Sequence, residues 1–106
     1  MKDIGALMKQ AQAMQQKLQA AQEELGRSEV DGVSGGDMVR LTLRGDGSLA
    51  RLNLDDSLLA PGEGEILADL IIAAHSDARR KLEAKQAEIM RDVAGPLAGL
   101  PGMPQF

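Results

Sequence analysis

The sequence of 106 residues contains no cysteine, tryptophan or tyrosine, and its single phenylalanine, Phe106, is the last residue. The absence of Cys removes thiol catalysis, thiolate metal sites and a disulfide framework together, and is compatible with a reducing compartment. The absence of rings means that a core has to be built from Leu, Ile, Val, Met and Ala, which bury less area per side chain than aromatics do. A chain this short, without rings, disulfides or a metal, commonly gains the remaining stability by oligomerising. Long apolar runs are missing too: nothing approaches the roughly 18 residues of a membrane span. The first residues, Met1-Lys-Asp-Ile-Gly, open an amphipathic pattern rather than a signal peptide. A soluble, cytoplasmic, single-domain protein is the expectation, with no room for a second domain.

Chemistry-bearing constellations are equally scarce. His75 is the only histidine, and the nearest acid, Asp77, is two residues along the chain and on a different helical face, so a satisfied, partly buried or interface histidine is the reading. Asp55 and Asp56 with Glu63 and Glu65 lack the spacing and central Gly of a calcium loop; Asp55-Asp56-Ser57 reads instead as the cap of a local turn. Gly32, Gly35, Gly36, Gly45 and Gly47 fall between strands, whereas a phosphate loop has to precede a helix. No nucleophile, base and oxyanion arrangement exists, so no enzyme, cofactor, metal site or small-molecule substrate is expected.

Net charge is -4, which by itself opposes nucleic-acid binding, but the distribution is uneven. Residues 1–26 and 27–54 each sum to zero, residues 55–77 carry six acids and no Lys or Arg, and residues 78–91 carry five bases against Glu83 and Glu88. Local fields decide what binds where.

The apolar pattern divides the chain. Ile4, Leu7, Ala11, Met14, Leu18, Ala21 and Leu25 follow a 3-4 spacing through three heptads of good helix formers, predicting a first helix with a coiled-coil seam, Asp3 at its start and Gly26 at its end. Two alanines in the seam and a Gln-rich remainder make it too weak for an independent zipper. From Ser28 the period changes to two. A strand at Glu29–Val33, a turn at Ser34-Gly35-Gly36, a strand with Val39, Leu41 and Leu43 inward and Arg40, Thr42 and Arg44 outward, a hairpin at Gly45-Asp46-Gly47, and a return strand over 48–54 with Leu52 and Leu54 inward make a three-stranded antiparallel meander. After a polar linker, a second helix is predicted from about Glu65 to Val93. Its stretch Leu67–Ala74 is apolar almost all round, predicting burial on more than one side. The expectation is an α+β fold: a single α-β-β-β-α domain over 1–94 and a Gly/Pro-rich tail over 95–106, disordered or loosely docked.

Several stretches, in this order, carry a resemblance: Leu7-Met-Lys-Gln-Ala-Gln-Ala-Met-Gln-Gln-Lys-Leu, Val30-Asp-Gly-Val-Ser-Gly-Gly, Asp55-Asp-Ser-Leu-Leu, Leu67-Ala-Asp-Leu-Ile-Ile-Ala-Ala-His-Ser-Asp-Ala, and the Leu-Pro-Gly tail. The chain resembles the YbaB/EbfC family of bacterial nucleoid-associated DNA-binding proteins over essentially its whole length. The resemblance implies a homodimer with combined sheets and projecting helices, and binding of double-stranded DNA with little sequence preference in the nucleoid. It assigns no contact residue. Two features depart from it: His75 stands where an apolar residue is expected, and the acidity is unusual for a DNA packager.

The candidate DNA-contacting residues are Arg79, Arg80, Lys81 and Lys85, within two helical turns of the second helix, and Lys9 and Lys17, which with Lys2 line one stripe of the first. Guanidinium and ammonium groups neutralise phosphate charge and release counterions. Equally, the second-helix cluster reads as a solvated face laced by Asp77 with Lys81, and the lysine stripe as a solubility device. Arg40, Arg44 and Arg51 read as a solvated outer sheet face that blunts an edge. With no rings to stack bases, duplex rather than single-stranded nucleic acid is the expected partner. The alternative is a protein-interaction or coiled-coil adaptor module with incidental DNA binding, recruiting its partner through the Gln-rich helices and the Leu/Met tail.

Overall fold

The computed structural model describes residues 3–95, so Lys2 and the predicted tail beyond Gly95 lie outside the described residues. The element order is helix α1 (Asp3–Arg27), strands β1 (Glu29–Ser34), β2 (Val39–Arg44) and β3 (Leu49–Leu54), a 3-10 turn (Asp56–Leu59) and helix α2 (Gly64–Ala94). The strands form one antiparallel sheet in the order β1-β2-β3, as the alternation predicts.

Local chemistry sets the junctions. α1 runs through Gly26 to Arg27 rather than stopping at the glycine, and Ser28 closes it by donating from Oγ to the Glu24 carbonyl at 2.8 Å and from its N–H to Leu25 at 3.0 Å. The first turn of the meander places Gly35, Gly36 and Asp37 at φ of 60, 63 and 72°, a left-handed run that two glycines make tolerable. The Asp55 carboxylate accepts from the Ser57 N–H at 2.9 Å and caps the 3-10 turn, the local role the sequence suggests. Between Thr42 and Leu43 the β2–β3 register slips by one residue, a bulge that leaves Ala50 unpaired.

The core lies between the sheet and the first half of α2. Val39, Leu41, Leu43, Leu58, Ala74 and Ala78 are fully enclosed. α2 lies so close to β1 that a Cβ on Gly32 would collide with the Ala74 carbonyl and with Ala78; Gly and two alanines make the contact possible. A second, smaller cluster sits away from the sheet, where Ala21, Met14, Leu18 and Leu25 of α1 pack on Ile89 and Val93 of α2. The heptad seam therefore finds its partner helix within the same chain over its C-terminal half.

Three inferences from the sequence are corrected. Leu52 faces the core side opposite Leu41, yet remains 39 % exposed, because α2 covers β1 and β2 and leaves β3 open. The largely apolar stretch Leu67–Ala74 of α2 is not enclosed by the described residues, since Ile72 is 65 % exposed. His75, which follows that stretch, is exposed rather than partly buried, which leaves the interface reading. Thr42 points outward as expected but is buried there, donating from Oγ1 to Asp31 at 2.6 Å.

Gly32→Ala should destabilise the fold by about 1–3 kcal/mol in urea denaturation, since the added methyl meets backbone that has to move. Gly5→Ala, placed in α1 where nothing lies within 4 Å, should instead gain about 0.5–1 kcal/mol from helix propensity.

Candidate nucleic-acid interface

The two helices leave the sheet side by side and antiparallel, α1 ending at the sheet and α2 beginning there. On α1 the seam faces α2; a rotation of about 100° per residue puts Lys9 on the opposite side and Lys17 at the flank of the seam, one turn from Met14 and Ala21, about 12 Å from Lys9 along the axis. Both are exposed, and neither has an ion pair among the described residues.

The α2 group is built differently. Asp77 stands at its centre: its carboxylate accepts from the Val33 N–H at 3.0 Å and pairs with Arg80 at 3.1 Å and Lys81 at 3.0 Å. Lys81 also donates to the Asp31 carbonyl at 2.9 Å. These contacts occupy backbone groups on the outer edge of β1, so α2 closes that edge of the sheet with a carboxylate and an ammonium. Arg79 pairs with Glu83 at 3.5 Å. Lys85 has no ion pair among the described residues and is half-buried beside the α1–α2 seam. Of the six candidates, Lys9, Lys17 and Lys85 therefore carry unneutralised charge, while Arg79, Arg80 and Lys81 are held by neighbouring acids. The Asp77–Lys81 pair is the lacing the sequence suggested.

The structure brings the six into two strips on adjacent helices rather than into one patch. Two further cations without an ion pair among the described residues join them, Arg27 at the end of α1 and Arg91 in the last turn of α2. Sequence reasoning did not single them out, because a base in a last turn reads first as a complement to the helix dipole. On the outer sheet face, Arg40 pairs with Asp31 and Asp37 and Arg51 with Glu29, while Arg44 donates to Ser48 Oγ at 3.4 Å. That is a charge-balanced, solvated surface. Among the described residues no group of three His or acidic side chains is placed to hold a metal ion, and no helix is long and apolar enough to cross a membrane.

Comparison with known proteins bears on the whole of this arrangement. The model of the YbaB/EbfC DNA-binding family matches residues 1–97. The chain belongs to the YbaB/EbfC family. A nucleoid-associated protein of Phenylobacterium zucineum is 66 % identical over 106 residues, covering 100 % of this chain and 99 % of its own. One from Caulobacter vibrioides is 65 % identical over 102 residues, covering 96 % and 94 %. The fold is similar to the crystal structure of an uncharacterized protein from Helicobacter pylori, with a TM-score of 0.68 and 26 % identity over 92 % of this chain and 98 % of that one. The α-β-β-β-α order and the paired helices are thus properties of this YbaB/EbfC member's fold, and the family is one of DNA-binding proteins.

The Asp77 carboxyl is held below its ordinary pKa, chiefly by the Val33 N–H and then by Lys81 and Arg80. A carboxylate whose folded-state pKa is depressed adds stability above about pH 4 and loses it as pH falls through the lowered value. Asp77→Asn keeps an acceptor for Val33 but cannot titrate, so its stability should fall less steeply than that of the parent below about pH 4, read from urea midpoints across an acid series.

Proposed function

We propose that this chain is a nucleoid-associated protein that binds double-stranded DNA as a homodimer, mainly through phosphate contacts, with low sequence specificity and without catalysis. The observation that carries the reading is the pair of exposed lysines without an ion pair among the described residues, Lys9 and Lys17, on a projecting helix in a member of a DNA-binding family. Lys85 adds charge from α2, and Arg79, Arg80 and Lys81 contribute by exchanging an acid partner for a phosphate. The Arg79–Glu83 pair is exposed on both sides and in high dielectric is worth about 1 kcal/mol or less, so phosphate oxygens compete there on even terms; Arg80 and Lys81 share the less exposed Asp77 and are the harder exchange. The interface follows the polyelectrolyte logic in which phosphate contacts position the protein and carry no sequence information.

Dimerisation is supported by what the single chain leaves uncovered. β3 has an open edge, and its core-side face exposes Leu49 at 51 % alongside Leu52. Leu59, Ile66 and Ile72 are further large apolar side chains left in solvent. A second copy covering β3 would complete the core and set two helix pairs at a fixed separation, which doubles every cation in the interface.

A protein-interaction adaptor is the competing reading, favoured by the net charge of -4 and by the Gln-rich α1. Binding to a labelled duplex at two salt concentrations tests the first reading: affinity should fall steeply between about 50 and 200 mM salt. Lys9→Glu with Lys17→Glu should weaken binding at least about ten-fold and flatten the salt slope by up to about 4, two lysines in each of two protomers. Salt-independent affinity, or an unchanged double variant, would refute phosphate binding through α1. In sedimentation at micromolar concentration the parent should run as a dimer and Leu49→Asp with Leu52→Asp as a folded monomer.

A further inference from the structure

α1 outruns the helix it packs on. Met14, Leu18, Ala21 and Leu25 lie against Ile89 and Val93, and α2 ends at Ala94. The first turns of α1 are left without a neighbour among the described residues, although the seam continues there through Ile4, Leu7 and Ala11. Ile4, Leu7 and Met8 are 53, 61 and 60 % exposed. These are large side chains in one stripe, continuous with the packed part of the seam.

The chain itself supplies a candidate cover. Eleven residues, 96–106, follow Gly95 and read Pro-Leu-Ala-Gly-Leu-Pro-Gly-Met-Pro-Gln-Phe, with no charged side chain. Leu97, Leu100, Met103 and Phe106 recur at every third position. That period is the one polyproline II turns into a single edge, with about 9 Å between successive apolar groups. Pro96, Pro101 and Pro104 lower the entropy lost when such a segment is fixed. The segment starts where α2 stops, beside the Met14 end of the uncovered stripe. From Met14 to Ile4 is about 15 Å of helix, and eight residues at about 3.1 Å each reach that far with slack.

We propose that residues 96–103 of the same chain lie along the first turns of α1, setting Leu97, Leu100 and Met103 over Ile4, Leu7, Met8 and Ala11. The tether favours the chain's own tail over a second copy, because a short linker holds the segment at millimolar effective concentration. Lys9 lies on the opposite side of α1 from the covered stripe and Lys17 more than a turn beyond its end at Ala11, so the docking stands or falls independently of DNA binding.

The absence of native cysteine makes crosslinking clean. Leu7→Cys with Leu100→Cys, oxidised in the full-length protein, should form a bridge within one chain at least about ten-fold faster than Ala6→Cys with Leu100→Cys, whose first position lies on the opposite side of α1. Equal rates overturn the proposal, and bridges found only between chains overturn the same-chain assignment in favour of a second copy. In an independent measurement, Leu97→Ser with Leu100→Ser and Met103→Ser should speed amide exchange in residues 7–13 about ten-fold while leaving 14–25 unchanged. Unchanged exchange in residues 7–13 overturns it.

Discussion

The architecture rests on one close approach. α2 presses on β1 at Gly32, where Ala74 and Ala78 present almost no side chain. With the axis this near, Asp77 and Lys81 on the flank of α2 reach the outer edge of β1, and Ser34 Oγ donates to the Leu70 carbonyl at 2.6 Å. A larger residue at Gly32 would lift the helix and detach all three bonds at once. The same placement commits α2 to one side of the sheet. It covers β1 and β2, and Leu49 and Leu52 of β3 are left exposed by the described residues.

The two edges of the sheet therefore have different characters. The β1 edge is closed by charged and hydroxyl groups of the same chain, which prevents further strand addition there. The β3 edge is open and flanked by exposed apolar side chains. A homodimer built on the open edge and apolar face is consistent with that asymmetry, and would leave both helix pairs free. Acids hold Arg79, Arg80 and Lys81 on α2, while Lys9, Lys17 and Arg27 of α1 have no such partner among the described residues.

What the sequence made legible was local. The heptad spacing from Ile4 to Leu25, the change to two-residue alternation after Ser28 and the glycine-marked turns are short-range signals, and each produced the element expected. Gly32 looked like one more turn glycine, because nothing near it in sequence reveals the helix that packs on it from residues 74 and 78. The roles of Asp77 and Lys81 were half visible: their mutual pairing follows from a four-residue spacing, whereas their bonds to Val33 and Asp31 span more than forty positions. Leu52 and His75 were misjudged for a related reason. Alternation and helical period say which way a side chain points, but not how far the covering layer extends.

α1 is 25 residues long, about 37 Å, and its base is seated at Gly45, where any side chain would strike the Leu25 carbonyl. In mechanical terms the helix is a clamped strut: its seat at the sheet and its packing on Ile89 and Val93 hold it from Leu25 back to Met14, and the turns before Met14 overhang as a cantilever of about 15 Å. Lys17 stands over the clamped length and Lys9 on the overhang, so bending at the clamp moves one cation relative to the other with little disturbance of the core at Gly32.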